Sequence, residues 1–144
     1  MIQILIVDSA KQPPSYDFDS NYKMLDGFLE EKFDILDSFA HELSIAPLSS
    51  FVGTLEAGFD FDKVSGKDAS WFLVTDGINT VNGLLDFLKQ SKPVARHKPT
   101  ARRVRDFQRS SFSIFVIEEL EELLEILTLA QCKSKAARFK LLVI

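Results

Sequence analysis

The chain has 144 residues, of which 46% are hydrophobic, enough for one ordinary core and too many for a disordered segment. Its net charge of −4 excludes a global pull towards nucleic acid or anionic membrane. Cys132 stands alone, which rules out an intrachain disulfide or a cysteine-rich zinc site.

The start, MIQILIVDS, has no basic flank, and its apolar run is short. It reads as a buried β-strand over Ile2–Val7 rather than a signal peptide. With no run approaching 18 apolar residues, the expectation is a cytoplasmic protein without membrane contact. Pro13 and Pro14 break the strand. From about Asn21 to Glu42, Tyr22, Leu25, Leu29, Leu36, Ala40 and Leu43 recur at helical spacing. This predicts one long helix capped by Ser20, with Gly27 inside it as a point of close packing. Pro47 marks its exit, and Leu48–Thr54 reads as a short strand or an extended apolar plug. Residues Glu56–Asp68 read as a loop whose Phe59 and Phe61 fold back on the core.

Trp71–Val74 predicts a brief strand leading into a helix over Asp76–Gln90. Asp76 is the expected cap, and Gly83 marks a close neighbour. A basic stretch follows. Lys89 to Arg109 holds eight cations against Asp106 alone, net +7, which leaves −11 for the remaining chain. It reads as a loop or arm, 92–109, that turns helical near Arg103. Phe112–Ile117 fits either a strand, from its β-branched residues, or a helix face; strand is the assignment adopted. Glu118–Cys132 predicts a helix with acids crowding its first turns, and Cys132 packed at its end. Arg138–Ile144 predicts a closing strand. Together these elements give a single α+β domain over 1–144. The N- and C-terminal strands form a small mixed sheet packed by about three helices, a two-layer sandwich.

His41 to Phe51, Ala69 to Phe72 and Asp76 to Leu88 resemble a group of small uncharacterised bacterial proteins. That group pairs a "pLs.F" segment with a "WF…dGl.tv..Ll..L" helix. It closes on an "eL..ll..l..a….rF.L" helix and strand, similar here to Glu119 through Leu142. The resemblance implies a bacterial cytosolic protein and attaches no activity. The basic insert from Val94 to Arg109 is not part of the shared pattern.

No catalytic constellation emerges, and the reading leans away from an enzyme, with no catalytic residue, metal or cofactor expected. Asp8 is not followed by a second acid, and turn chemistry accounts for it. Asp17-x-Asp19-x-Asn21 begins like a calcium loop. It then fails, with Tyr22 at the glycine position and Phe28 at the bidentate glutamate position. His41 suits a helix C-terminus, and His97 lies between Arg96 and Lys98. The six glycines are scattered and form no phosphate loop.

The expected function is therefore contact with a protein partner, a second copy included. An apolar surplus at Phe59, Phe61, Ile126 and Leu129 motivates the homodimer. The alternative is an anion- or nucleic-acid-binding module using Arg96, Lys98, Arg102, Arg103 and Arg105. With only Phe107 interleaved, base stacking has little to work with. Neutralisation of the basic stretch by the protein's own acidic helices is the competing expectation.

Overall fold

Ile2, Ile4 and Ile6 alternate with Gln3, Leu5 and Val7, so a strand built from them is apolar on nearly its whole surface. Such a strand belongs inside a sheet, covered on both faces. The computed structural model, which describes residues 1–8, 24–53, 71–89, 98–110 and 113–143, places it there. Strand β1 (Ile2–Asp8) pairs antiparallel with β4 (Ala137–Val143) over seven residues, from Ile2 opposite Val143 to Asp8 opposite Ala137. Two short strands flank this pair, β2 (Met24–Leu25) on β1 and β3 (Phe72–Leu73) on β4, giving the order β2-β1-β4-β3. All three pairings are antiparallel. One isolated parallel bridge joins Val52 to Leu141.

Ile2, Ile4, Ile6, Phe139 and Leu141 belong to the main core, which they share with the helices. The other face carries Leu5, Val7 and Leu142, buried with Trp71. Lys140 is buried there too, its Nζ 4.4 Å from the Trp71 ring centroid, a cation–π distance. Helices α1 (Phe28–Glu31), α2 (Phe33–Glu42), α3 (Val74–Lys89), α4 (Lys98–Arg109) and α5 (Ser113–Lys133) complete the α+β arrangement.

The single helix expected over 21–42 is not what forms. Met24 and Leu25 pair with Gln3 and Ile2 as β2, Gly27 adopts φ 106°, and Lys32 separates α1 from α2. The reason lies far away in sequence. The Glu119 carboxylate, buried on α5, accepts three backbone N–H groups: Gly27 and Phe28 at 3.1 and 3.3 Å on Oε1, and Leu29 at 2.7 Å on Oε2. A helix running through Gly27 would have spent those amides on its own ladder. Residues 20–23, including the expected cap Ser20, lie outside the described ones, as does the whole loop expected over 56–68 with its Phe59 and Phe61.

Helix α2 ends in a Schellman arrangement. Ser44, at φ 56°, donates its N–H to the His41 carbonyl at 3.1 Å, and Ile45 to that of Ala40 at 3.0 Å. His41 lies in the last turn of α2, as expected. After Pro47, Leu48–Phe51 forms a 3-10 turn rather than a strand, and the chain reaches the sheet at the Val52–Leu141 bridge, where the Gly53 N–H donates to the Leu141 carbonyl at 2.9 Å.

Helix α3 starts two residues earlier than expected. Asp76 therefore sits in the first turn, where its charge suits the helix end, rather than at the cap. Phe112–Ile117 also departs from the strand assignment: from Ser113 the chain is α5. Val116, Leu120, Leu123, Leu127 and Ala130 are buried at helical spacing, and that shared face overrides the local preference of Ile114, Val116 and Ile117. Cys132 is exposed on α5, not packed.

Two glycines of α3 make opposite predictions. A Cβ at Gly77 would overlap the Phe139 ring and stand 3.1 Å from Leu127 Cδ1. Phe139 cannot retreat easily, because Phe51 packs on it at 5.2 Å between centroids. Gly77→Ala is expected to destabilise by about 1–2 kcal/mol, the overpacking cost exceeding the helix-propensity gain. At Gly83 the new Cβ would meet only Ile45 Cδ1, at 2.8 Å, the end of a movable side chain. Gly83→Ala is expected to be neutral or to stabilise by up to about 1 kcal/mol. Urea denaturation of both variants measures the difference in sign.

Candidate functional site

Helix α4 carries the basic stretch, KPTARRVRDFQR, and is helical from Lys98 onwards rather than from Arg103. Pro99 falls in its first turn, where a missing N–H costs no hydrogen bond. Phe107 is the residue that fastens it. It is buried, with its ring edge-on to Phe39 of α2 at 6.1 Å. Gln108 adds a second tie, donating from Nε2 to the Leu88 carbonyl of α3 at 2.7 Å.

With Phe107 turned inward, Arg102, Arg103, Arg105 and Arg109 are all exposed. Arg102, Arg105 and Arg109 recur at i, i+3 and i+7 and share one face. Among the described residues, no ion pair engages any of these four arginines. Of the expected site residues, Lys98 opens α4 and Arg102, Arg103 and Arg105 lie along it, while Arg96 lies outside the described residues. Arg109 belongs with them and was absent from the expected set; a helical reading of the stretch would have included it.

Helix α5 follows within a few residues, the Ser113 hydroxyl donating to the Ser110 carbonyl at 3.0 Å. Its outer surface carries Ile114, Glu118, Glu122, Glu125 and Leu129, all exposed and four or three residues apart. Ile114 is 59% and Leu129 56% exposed. Phe115 is 43% exposed, with one side stacked on Phe28 at 4.9 Å. Ile126, by contrast, is buried; of the expected apolar surplus Leu129 is exposed, while Phe59 and Phe61 lie outside the described residues. Glu121 pairs with Lys89 at the end of α3. Among the described residues, Glu118, Glu122 and Glu125 make no ion pair.

An open cavity of about 430 Å³ lies beside the start of α3, walled by Ile45, Phe51 and Phe72, with Ser50, Asp76 and Asn79 on its rim. Thr80 donates to the Ala46 carbonyl at 3.0 Å across its floor, which joins α3 to the turn after α2. Among its described lining residues, no histidine, cysteine or second carboxylate joins Asp76. Asp8 closes β1 and accepts the Ser134 hydroxyl at 2.8 Å, a bond to the segment just before β4, 126 residues on. Among the described residues, no group of three or more histidines, cysteines or acids is placed to hold a metal ion. No helix among them is long and apolar enough to cross a membrane.

Comparison with family models, curated proteins and solved structures gives no match. Segments 41–51, 69–72 and 76–88, on which the expected resemblance to small bacterial proteins rests, are matched by none of these. Those segments meet in space: the 45–51 turn and the first turns of α3 line the cavity together. The charged surface of α4 lies apart from the shared pattern, in the Val94–Arg109 insert.

Proposed function

We propose that the protein is a non-enzymatic, cytoplasmic, single-domain protein that works by contact with another protein. Its contact surface is the corner where α4 meets α5: Arg102, Arg103, Arg105 and Arg109, with Ile114 and Phe115 beside them. The observation that carries this reading is the exposed arginine face, with no ion pair among the described residues. Exposed arginines and exposed apolar side chains on adjoining helices are the residue types that a protein interface favours. Single-stranded nucleic acid fits less well. The aromatic residue of α4, Phe107, is buried, so no ring on this helix is free to stack a base.

The test uses the full-length tagged protein in nuclease-treated and untreated lysate that also contains an untagged copy. Capture of a protein that survives nuclease is expected, and Arg102→Glu, Arg103→Glu, Arg105→Glu in one chain should abolish it. The triple variant should keep its thermal midpoint, since exposed substitutions change stability by about 0.5 kcal/mol or less. Capture that disappears with nuclease would move nucleic acid to first place. Capture unchanged by the triple variant would reject the arginine face.

A further inference from the structure

We infer that the partner is a second copy of this chain, with α4 of one copy lying antiparallel on α5 of the other. This deepens the contact reading above and rests on it. The argument is one of charge, spacing and direction. Arg102, Arg105 and Arg109 are separated by three and then four residues. Glu125, Glu122 and Glu118, taken in the reverse direction, are also separated by three and then four. Antiparallel alignment therefore sets Arg102 against the second copy's Glu125, Arg105 against its Glu122 and Arg109 against its Glu118. Parallel alignment puts the spacings out of step.

Within one chain the two triplets sit on consecutive helices with three residues between them, yet among the described residues they do not pair with each other. Each is a solvated row with its complement on an identical molecule. Two-fold symmetry makes the contact reciprocal, so both rows of both copies are satisfied at once. Ile114 and Leu129 bracket the acidic triplet on α5 and add the apolar area that exposed charge pairs do not supply. Asp106 is the one acid among the arginines. Its counterpart in this register is Glu121, whose carboxylate Lys89 already holds.

Sedimentation of the full chain across a concentration series tests the register. The wild type should dimerise below about 100 μM and weaken as salt rises to about 0.5 M. A chain with Arg102→Glu, Arg105→Glu and Arg109→Glu should dimerise at least roughly tenfold more weakly, and so should one with Glu118→Arg, Glu122→Arg and Glu125→Arg. Mixing the two variants, or combining all six changes in one chain, should restore the dimer. Restoration also shows that the variants fold. A wild type that stays monomeric, or a dimer indifferent to either reversal, overturns the inference. If the wild type is monomeric while arginine-dependent capture of another protein persists, only the self-partner reading falls. If both are lost, the contact reading falls with it.

Discussion

Phe39→Ala is expected to cost about 4 kcal/mol of folding stability, among the largest losses from any single truncation in this chain. Phe39 is fully buried on α2. Its ring meets Phe87 of α3 edge-on at 5.5 Å and Phe107 of α4 edge-on at 6.1 Å. Deleting it leaves a void where three helices converge. Neighbours already locked edge to face collapse poorly into such a void, so the cavity cost adds to the transfer cost. Phe39→Leu keeps most of the volume and should cost about 1.5 kcal/mol or less. Chemical denaturation gives the ranking. The truncation should also loosen α4 selectively, since Phe107 loses the ring it packs against, and amide exchange along 98–109 should quicken more than along α3. A loss under about 1.5 kcal/mol for the alanine variant would mean that the ring contacts do not hold these helices together.

Glu119→Ala is expected to cost about 3 kcal/mol. The buried carboxylate is the acceptor for three successive amides at the start of α1. Bonds from amides to a charged acceptor are stronger than neutral ones, and removal leaves partly buried N–H groups without their acceptor. Glu119→Gln should fall between, because one oxygen still accepts while the new NH2 group faces an amide donor. The damage should be local before it is global. Gly27 at φ 106° and the Phe28–Phe115 stack both belong to this junction, so α1 and β2 should lose exchange protection first. Equal stability of the wild type and Glu119→Ala would show that water replaces the carboxylate at no cost.

The same junction explains where the sequence could be read and where it could not. β1, α3, the acidic part of α5 and β4 are legible because their apolar periodicity matches what they bury. Pro47 is legible because it acts locally, as a helix exit, and Gly83 because a glycine inside a helix marks a close neighbour, here Ile45. Residues 21–32 mislead because their apolar spacing is helical, while the partner that breaks the helix, Glu119, lies about ninety residues away. Glu119 itself looks like one more surface acid in an acidic run, and only tertiary structure separates it from Glu118 and Glu122. Residues 113–117 mislead in the opposite sense, because β-branched side chains favour a strand until a buried helix face outweighs them.

The candidate surface shows the same division. Arg102, Arg103 and Arg105 stand out by charge alone. Arg109 and the exposed acidic row of α5 become visible only once both stretches are helices with known inner faces, whereas Leu129 stands out in the sequence as apolar surplus. The expected neutralisation of the basic stretch is seen in one pair, Lys89 with Glu121. The arginines of α4 do not take part in it among the described residues.

The two longest strands, β1 and β4, are each other's main partner, although more than a hundred residues separate them. During synthesis from the N-terminal side, β1 is made more than a hundred residues before β4. Until β4 follows, the β1 backbone edge is without its full-length mate, a template for pairing with a neighbouring nascent chain. High contact order of this kind slows folding, so the helices have time to form before the sheet closes. Closure of that central pair is then the event that commits the domain to its native state.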